Sequence, residues 1–486
     1  MASNHYSAQY DEQQKQLIND IFQQQKIAYQ QQPYPQYSER ITKLQTLKQA
    51  ILSHQTELIE ALAADFNHRS SDDSKLGDIL PTIMGINYAI KHLKGWLKPA
   101  KRQVGILFQP AKAQVVYQPL GVVGIVTPWN YPIFLALGPL TTAIAAGNQA
   151  MIKLSEFTPA TNKVIINMLA REFEPSNVAV FDGGPDVAAH FTNQAFDHLL
   201  FTGSTRVGKL VMAAAAKNLT PVTLELGGKS PVIIDPDINL EQAVNQFILA
   251  KTLNAGQTCV APDYILCPQE KITELITICQ QQFTRMYPNV QSNSDYSHII
   301  NDEQFQRLQH WLIDAQQQGA IIHTMSSEAT WPTTSHGEPS TRLCPLLLVS
   351  QVTDTMLIMQ QEIFGPILPI IGYQNIDEAI NYINQGERPL ALYLCSYNKQ
   401  LQQRIVHQTH SGGVCINDAA IHVAQDDLPF GGIGPSGMGQ YHGQEGFYTF
   451  SKAKSVLTKG KFNGSKLAFP PYNRWIHKMI YRLFLR

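Results

Sequence analysis

Gly121-Val122-Val123-Gly124-Ile125-Val126 is an almost unbroken apolar run, and the turn Thr127-Pro128-Trp129-Asn130-Tyr131-Pro132 follows it. A run of this kind is what a strand buried on both faces requires. A helix then extends to Gly147, and residues 150–154 form the next apolar run. Residues 178–181 and 198–202 continue the series with helices between them, one of which Pro159 opens at its first turn. Strands alternating with helices of about ten residues or more predict a parallel α/β sheet with right-handed crossovers.

Working outward, Ile18, Ile21 and Phe22, then Ile41, Leu44, Leu47 and Ile51, then Leu58, Leu62 and Ala63 carry helical spacing through the N-terminal region. Residues 105–119 read as short extended segments. Residues 232–234 begin a second unit, with helices near 240–253 and 271–286 and a loop rich in Ser, Thr and Pro around 326–339. A second α/β series follows at 346–349, 367–371, a helix over 376–384, and 391–396. The simplest account is two α/β domains, each with its own sheet, and a length of 486 residues is ample for both.

Composition narrows the function. Lys plus Arg total 37 and Asp plus Glu 38, so no nucleic-acid footprint is present. Apolar residues at 44% exclude disorder as the main state. The first twenty or so residues lack a basic start followed by an apolar core, so no secretory signal is expected. The most apolar long stretch, 133–152, is interrupted by Gly138, Pro139, Gly147 and Asn148, which argues against a spanning helix. Cys267, Cys279, Cys344, Cys395 and Cys415 sit in apolar surroundings and read as small buried hydrophobes. No close cysteine pairing suggests a metal site, and the compartment expected is a reducing cytoplasm.

Several segments can carry chemistry. No Gly-x-Gly-x-x-Gly stands at the first strand-to-helix turn; in its place Phe201-Thr202-Gly203-Ser204-Thr205-Arg206-Val207-Gly208 joins a strand to a helix. Gly203 permits close backbone approach, and Ser204 or Thr205 can cap a helix whose positive end suits a pyrophosphate; the same pattern also serves an ordinary capped turn. In Leu224-Glu225-Leu226-Gly227-Gly228-Lys229-Ser230-Pro231 a carboxylate lies between leucines. An apolar setting raises its pKa toward that of a general base, whereas amides of the glycine turn would make it merely structural. Gly256-Gln257-Thr258-Cys259-Val260-Ala261-Pro262 holds a cysteine in a polar turn that a substrate could reach. Asn130 offers an amide to a developing oxyanion, or to its own turn. Lys153-Leu154-Ser155-Glu156 ends a strand, and Gln361-Glu362-Ile363-Phe364-Gly365-Pro366 joins a carboxylate, an aromatic ring and a rigid turn.

Taken in order, these segments resemble the aldehyde dehydrogenase superfamily along nearly the whole chain. The match is most specific at 224–231, at Gly256-Gln257-Thr258-Cys259 and at Glu362-Ile363-Phe364-Gly365-Pro366, and Leu428-Pro429-Phe430-Gly431-Gly432 adds a further segment. The short N-terminus looks like the class-3 branch. Within that branch, Cys259-Val260-Ala261-Pro262-Asp263-Tyr264 and His422-Val423-Ala424-Gln425-Asp426-Asp427 are similar to bacterial coniferyl-aldehyde dehydrogenases.

The resemblance implies two Rossmann-like α/β domains and a small β oligomerisation element. It assigns residues 1–100 and 120–226 to cofactor binding, 227–434 to catalysis, 101–119 and 450–460 to bridging, and 461–486 to an amphipathic tail. Cys259 would attack an aldehyde carbonyl, Asn130 and the Cys259 amide would hold the oxyanion, and Glu225 would activate the water that hydrolyses the thioester. Lys153 and Glu156 would bond the adenosine ribose, Gly203 and Ser204 would meet the pyrophosphate, and Glu362 would bond the nicotinamide ribose. Phe364 would pack beside the nicotinamide, with Thr127, Pro128, Trp129 and Gly208 completing the site. A carboxylate at Glu156 favours NAD over a 2′-phosphate, and NADP stays open beside it because Lys153 could help there. No metal is implied, and the branch implies a homodimer.

The substrate expected is an aromatic aldehyde such as coniferyl aldehyde, with medium or long aliphatic aldehydes as the alternative. A CoA-acylating relative is disfavoured by Glu225, and a non-catalytic protein by Cys259, Glu225 and Asn130 together. Near the C-terminus, Trp475, Ile476, Met479, Ile480, Leu483 and Phe484 recur at helical spacing, with Lys478, Arg482 and Arg486 on another face. Such a helix either packs over an apolar groove, the reading preferred here, or lies on the inner membrane surface.

Overall fold

A computed structural model describes residues 7–326, 331, 341–461 and 464–485. Most of the loop expected around 326–339 lies outside the described residues, as does Arg486. Three sheets organise the chain. The first runs in the order Gly437–Met438, Val222–Glu225, His198–Thr202, Val122–Val126, Gln149–Lys153, Val178–Phe181. All its pairings are parallel except that of Gly437–Met438, which runs antiparallel to Val222–Glu225. Every residue of Val122–Val126 is buried, as its unbroken apolar run requires.

From that central strand the chain winds to one side through Gln149–Lys153 and Val178–Phe181, then crosses to His198–Thr202 on the other. The winding reverses at the carboxyl ends of Val122–Val126 and His198–Thr202. This is the place where open α/β sheets hold ligands, and it is where Thr127–Asn130 and Gly203–Ser204 emerge.

The helix Phe134–Ala146 is buried almost all round and ends at Gly147 with φ 92°. Arg40 caps it, donating to the carbonyls of Ala145 at 3.0 Å and Ala146 at 2.7 Å. A Cβ at Gly147 would stand 2.7 Å from the Arg40 guanidinium carbon, so the turn needs glycine for space as well as for φ.

The second sheet runs Ile321–Thr324, Leu347–Ser350, Ile367–Tyr373, Tyr264–Pro268, Pro231–Ile234, Ala391–Cys395, Gly413–Ile416, parallel except at its Ile321–Thr324 edge. Each α/β series expected from sequence therefore has its own sheet. The third sheet pairs Lys112–Pro119 with Ala100–Arg102 and, over its whole length, with Ser451–Thr458. Within 105–119 the structure differs from the extended reading: Ile106–Phe108 forms a 3-10 turn before the strand begins.

The C-terminal helix Trp475–Phe484 carries the spacing read from sequence, but its apolar face is largely bare. Trp475 is 73% and Leu483 66% exposed, Met479 and Phe484 are about half exposed, and only His477 is buried. The preferred packing reading thus lacks a covering groove among the described residues. No helix among them is long and apolar enough to cross a membrane.

Candidate active site

The thiol loop enters from the end of the helix Leu240–Thr252. Asn254, Ala255 and Gly256 follow in succession with φ of 50°, 52° and 73°. Two of these are not glycine, so the surroundings must hold a strained path. They do so with buried hydrogen bonds: the Asn254 amide donates to Asp73 at 3.0 Å, and the Gln257 side chain donates to Asn254 O and His298 O at 3.0 Å each. Gln257 Oε1 accepts from the Ile300 amide at 3.0 Å. Cys259 emerges partly exposed, whereas the other five cysteines are buried and all six are free. Burial, then the fields of Glu362 and Glu225, push its thiol up to about 12, while the Cys259 and Val260 amides directed at the sulfur oppose them.

The turn after Val122–Val126 meets this loop directly. Asn130 Nδ2 donates to Gln257 O at 3.0 Å rather than to its own turn. A primary amide has a second N–H, which no hydrogen bond among the described residues uses. Tyr131 and Thr258 share a hydroxyl hydrogen bond of 2.9 Å.

Two carboxyl groups complete the surroundings of the thiol. Glu225 ends its strand fully inside, and neither carboxyl oxygen has a hydrogen-bond partner. Burial alone raises its pKa well above the ordinary carboxylate range. The glycine-turn amides that would have made it structural do not reach it.

Glu362 lies against the Gly227 backbone, where a Cβ would stand 1.9 Å from Oε2. Burial and Asp263 push it up to about 8 against the Gly228 amide, Lys229 and Arg307. Phe364, at φ 48°, sets its ring edge-on to Trp129 with centroids 5.2 Å apart.

The cofactor candidates gather at the switch point of the first sheet. Ser204 caps the helix Thr205–Ala216 by accepting from the Val207 amide at 3.4 Å. Gly203 leaves bare backbone before it, and a Cβ there would strike the Phe201 ring at 2.5 Å. Gly208 lies against Leu226, so its part is close helix-to-strand packing. The Thr202 hydroxyl is buried without a partner. Lys153 is buried and donates to Leu154 O and Gly183 O at 2.7 Å each. Burial holds it down to about 8 against the fields of Glu156, Asp182 and Asp11. Glu156 is partly exposed beyond the same strand. These groups suit a dinucleotide: donors for a pyrophosphate at a helix N-terminus, and an accessible carboxylate with a cation for a ribose.

Residue by residue, the chain also matches known proteins. The family model for the aldehyde dehydrogenase family covers residues 2–456. The chain belongs to the aldehyde dehydrogenase family. The dehydrogenase is 50% identical over 480 residues, 98% of this chain and 99% of the relative, to a protein of Pseudomonas aeruginosa named "Probable coniferyl aldehyde dehydrogenase". It is 41% identical over 442 residues, 91% of each chain, to "Coniferyl aldehyde dehydrogenase" of a Pseudomonas species. The structure described as "Substrate bound state of Staphylococcus Aureus AldH" superposes with a TM-score of 0.89 at 38% identity, covering 96% of this chain and 99% of that one. The protein is an NAD(P)-dependent aldehyde dehydrogenase that oxidises an aldehyde to a carboxylic acid through a cysteine thiohemiacetal and thioester.

Sequence reasoning missed what holds the dehydrogenase's Asn130 turn in place. Arg69 and Asp78 form a fully buried ion pair at 2.8 Å. Arg69 donates to Asn130 O at 2.8 Å, and its guanidinium lies 4.9 Å from the ring centroids of both Phe66 and Tyr131. Asp78 accepts from the Ile133 and Phe134 amides at 3.0 Å each. Removing either ion would strand the other in the interior, a large penalty. The signal available was Asp78 itself, a carboxylate within the apolar run Leu76-Gly77-Asp78-Ile79-Leu80.

Also missed was the frame of Glu362. Lys229 pairs with Asp263 and donates to Ile358 O at 2.8 Å and Gln361 O at 3.1 Å. Asp263 accepts from the Ile363 amide at 2.8 Å, and Arg307 donates to Ile363 O at 2.8 Å.

Proposed function

We propose that Cys259 is the nucleophile, Asn130 and the Cys259 amide the oxyanion donors, and Glu225 the hydrolytic base, acting on an aryl aldehyde of the coniferyl type. The observation that carries the assignment is a partly exposed sulfur with two backbone amides directed at it, in the field of a carboxyl group that nothing else engages. The two relatives named above support the substrate class.

The Cys259 thiol gives up its proton to water as the sulfur bonds to the carbonyl carbon, and the charge gathering on oxygen meets the second N–H of Asn130 and the Cys259 amide. NAD, or NADP, supplies a hydride acceptor when bound. Glu225, whose buried and unpartnered carboxylate is a stronger base than an ordinary one, takes a proton from water as it attacks the thioester, freeing the acid and the thiol. Lys153 and Glu156 are suited to the adenosine ribose, Gly203 and Ser204 to the pyrophosphate, and Glu362 to the second ribose. Phe364 suits the nicotinamide face and Thr127, Pro128 and Trp129 the walls, while Gly208 lets the helix Thr205–Ala216 pack close behind the pyrophosphate turn. In Cys259→Ala, NADH formation is lost while NAD still binds, as isothermal titration would measure; normal turnover in that variant would overturn the assignment.

In this reading residues 1–100 and 120–226 serve the cofactor and 227–434 the thiol. Residues 101–119 and 450–460 serve bridging in a cytoplasmic homodimer. The tail, 461–486, contacts an anionic membrane surface. Its bare apolar face supports that contact, as do Ile106 and Phe108, 73% and 54% exposed on a turn that packs beside the tail. Residues 451–486 contain lysines and arginines but no aspartate or glutamate. Flotation with anionic liposomes is expected for the full chain and not for a chain ending at residue 469. Equal flotation of both, or of neither, would sink the contact.

A further inference from the structure

Asp263 belongs to the run 259–264 singled out from sequence, yet the mechanism above leaves it without a task. It stands four residues past Cys259, buried, at the entry to the strand Tyr264–Pro268. Its amide donates to Ser230 O at 2.8 Å, which fixes it beside the turn that carries Gly227, Gly228 and Lys229.

Both carboxylate oxygens of Asp263 act on the segment that holds Glu362. Oδ1 accepts from the Ile363 amide at 2.8 Å. Oδ2 pairs with Lys229, whose ammonium also donates to Ile358 O at 2.8 Å and Gln361 O at 3.1 Å. The residues on either side of Glu362 are thus tied to one carboxylate, Ile363 directly and Gln361 through Lys229. Arg307 adds a hydrogen bond to Ile363 O at 2.8 Å. The Glu362 carboxyl itself lies against Gly227 and meets the Gly228 amide. Directly after this segment Phe364 has a φ of 48°, and such strain persists only where the surroundings over-determine it. Desolvation offsets much of the attraction within a largely buried ion pair, so stability alone does not account for Lys229 and Asp263.

Hydride transfer needs the carbon that gives and the ring that accepts at a set separation, and a misplacement of about 1 Å can cost roughly a hundredfold. The sulfur loop and the Glu362 segment are joined at one residue. We propose that Asp263 is a positioning residue that fixes Glu362, and with it the nicotinamide ribose, relative to the Cys259 sulfur. It acts through Glu362 and not by touching aldehyde or dinucleotide. This rests on the ribose reading of Glu362 above and names the residue on which that contact depends.

The test is isothermal titration with ADP and with ADP-ribose at about pH 9, where Glu362 is largely ionised with or without the field of Asp263. The two ligands share adenosine and pyrophosphate and differ by the second ribose, so the ratio of their affinities reads that ribose without any turnover. The wild-type enzyme is expected to prefer ADP-ribose by roughly tenfold or more, as a hydrogen bond to a charged group typically gives. Asp263→Ala should bring the ratio most of the way to one while ADP binds as before. Asp263→Asn keeps an oxygen for the Ile363 amide but loses the ion pair, and its ratio should fall between the two. A ratio unchanged in both variants, or ADP affinity falling in step with that of ADP-ribose, would overturn the positioning role alone. A wild-type enzyme without the preference, or a preference that survives Glu362→Gln, would instead overturn the ribose reading of Glu362. The isosteric Asp263→Asn decides the matter even where Asp263→Ala does not fold.

Discussion

Glu225 and Glu362 both direct a negative field at the Cys259 sulfur, yet they are held by opposite means. Glu225 stands at the end of a strand with both oxygens bare, and burial alone sets its pKa. Glu362 rests on the glycine turn, between the Gly228 amide, Lys229 and Arg307 on one side and Asp263 on the other. Burial without a partner favours the protonated form and makes the carboxylate, when it forms, a strong base, so the group is poised to exchange a proton. A carboxyl group ringed by fixed charges is held in place. The difference separates a group suited to moving a proton from one suited to holding a ligand.

The largest effect that would break this contrast comes from Glu225→Gln. Steady-state turnover should fall roughly a hundred- to ten-thousand-fold, the usual worth of a general base. The first turnover should still release a burst of NADH, because acylation precedes the hydrolysis that Glu225 serves. Stopped-flow absorbance would reveal it, and unchanged steady-state turnover would remove Glu225 from the base role.

A smaller effect sharpens the contrast at the sulfur. Each carboxylate raises the thiol pKa, so removing one lowers it and moves the pH profile of alkylation to more acid pH. Glu362 exerts the larger of the two fields. Glu362→Gln should therefore move iodoacetamide labelling of the cofactor-free enzyme further than Glu225→Gln does, with labelling up to about tenfold faster at fixed pH. Labelling that does not shift in Glu362→Gln would place its charge elsewhere.

The legible parts of the molecule were those that write their burial locally. Strands covered on both faces need unbroken apolar runs, so 121–126, 150–154 and 198–202 could be read and their parallel order inferred. The residues named by family resemblance, Asn130, Glu225, Cys259 and Glu362, come together because two turns from the first sheet face two loops of the second, one leading into Tyr264–Pro268 and one into Ile367–Tyr373. What could not be read depends on partners distant in sequence. Arg69 acquires its meaning only from Asp78 and the carbonyl of Asn130. The pair Gly437–Met438 is too short to show a strand pattern, and only its ladder with Val222–Glu225 makes it one. The amphipathic spacing of 475–484 was readable, but spacing says which face is apolar and not what covers it.

That short returning strand has a mechanical consequence. The chain leaves the first sheet after Glu225, builds the second, and then comes back at 437–438 to lie beside the strand it left. Halves tied on the way out and again on the way home are bound through a shared ladder, so neither should come loose without the other, and heat should loosen both in one step.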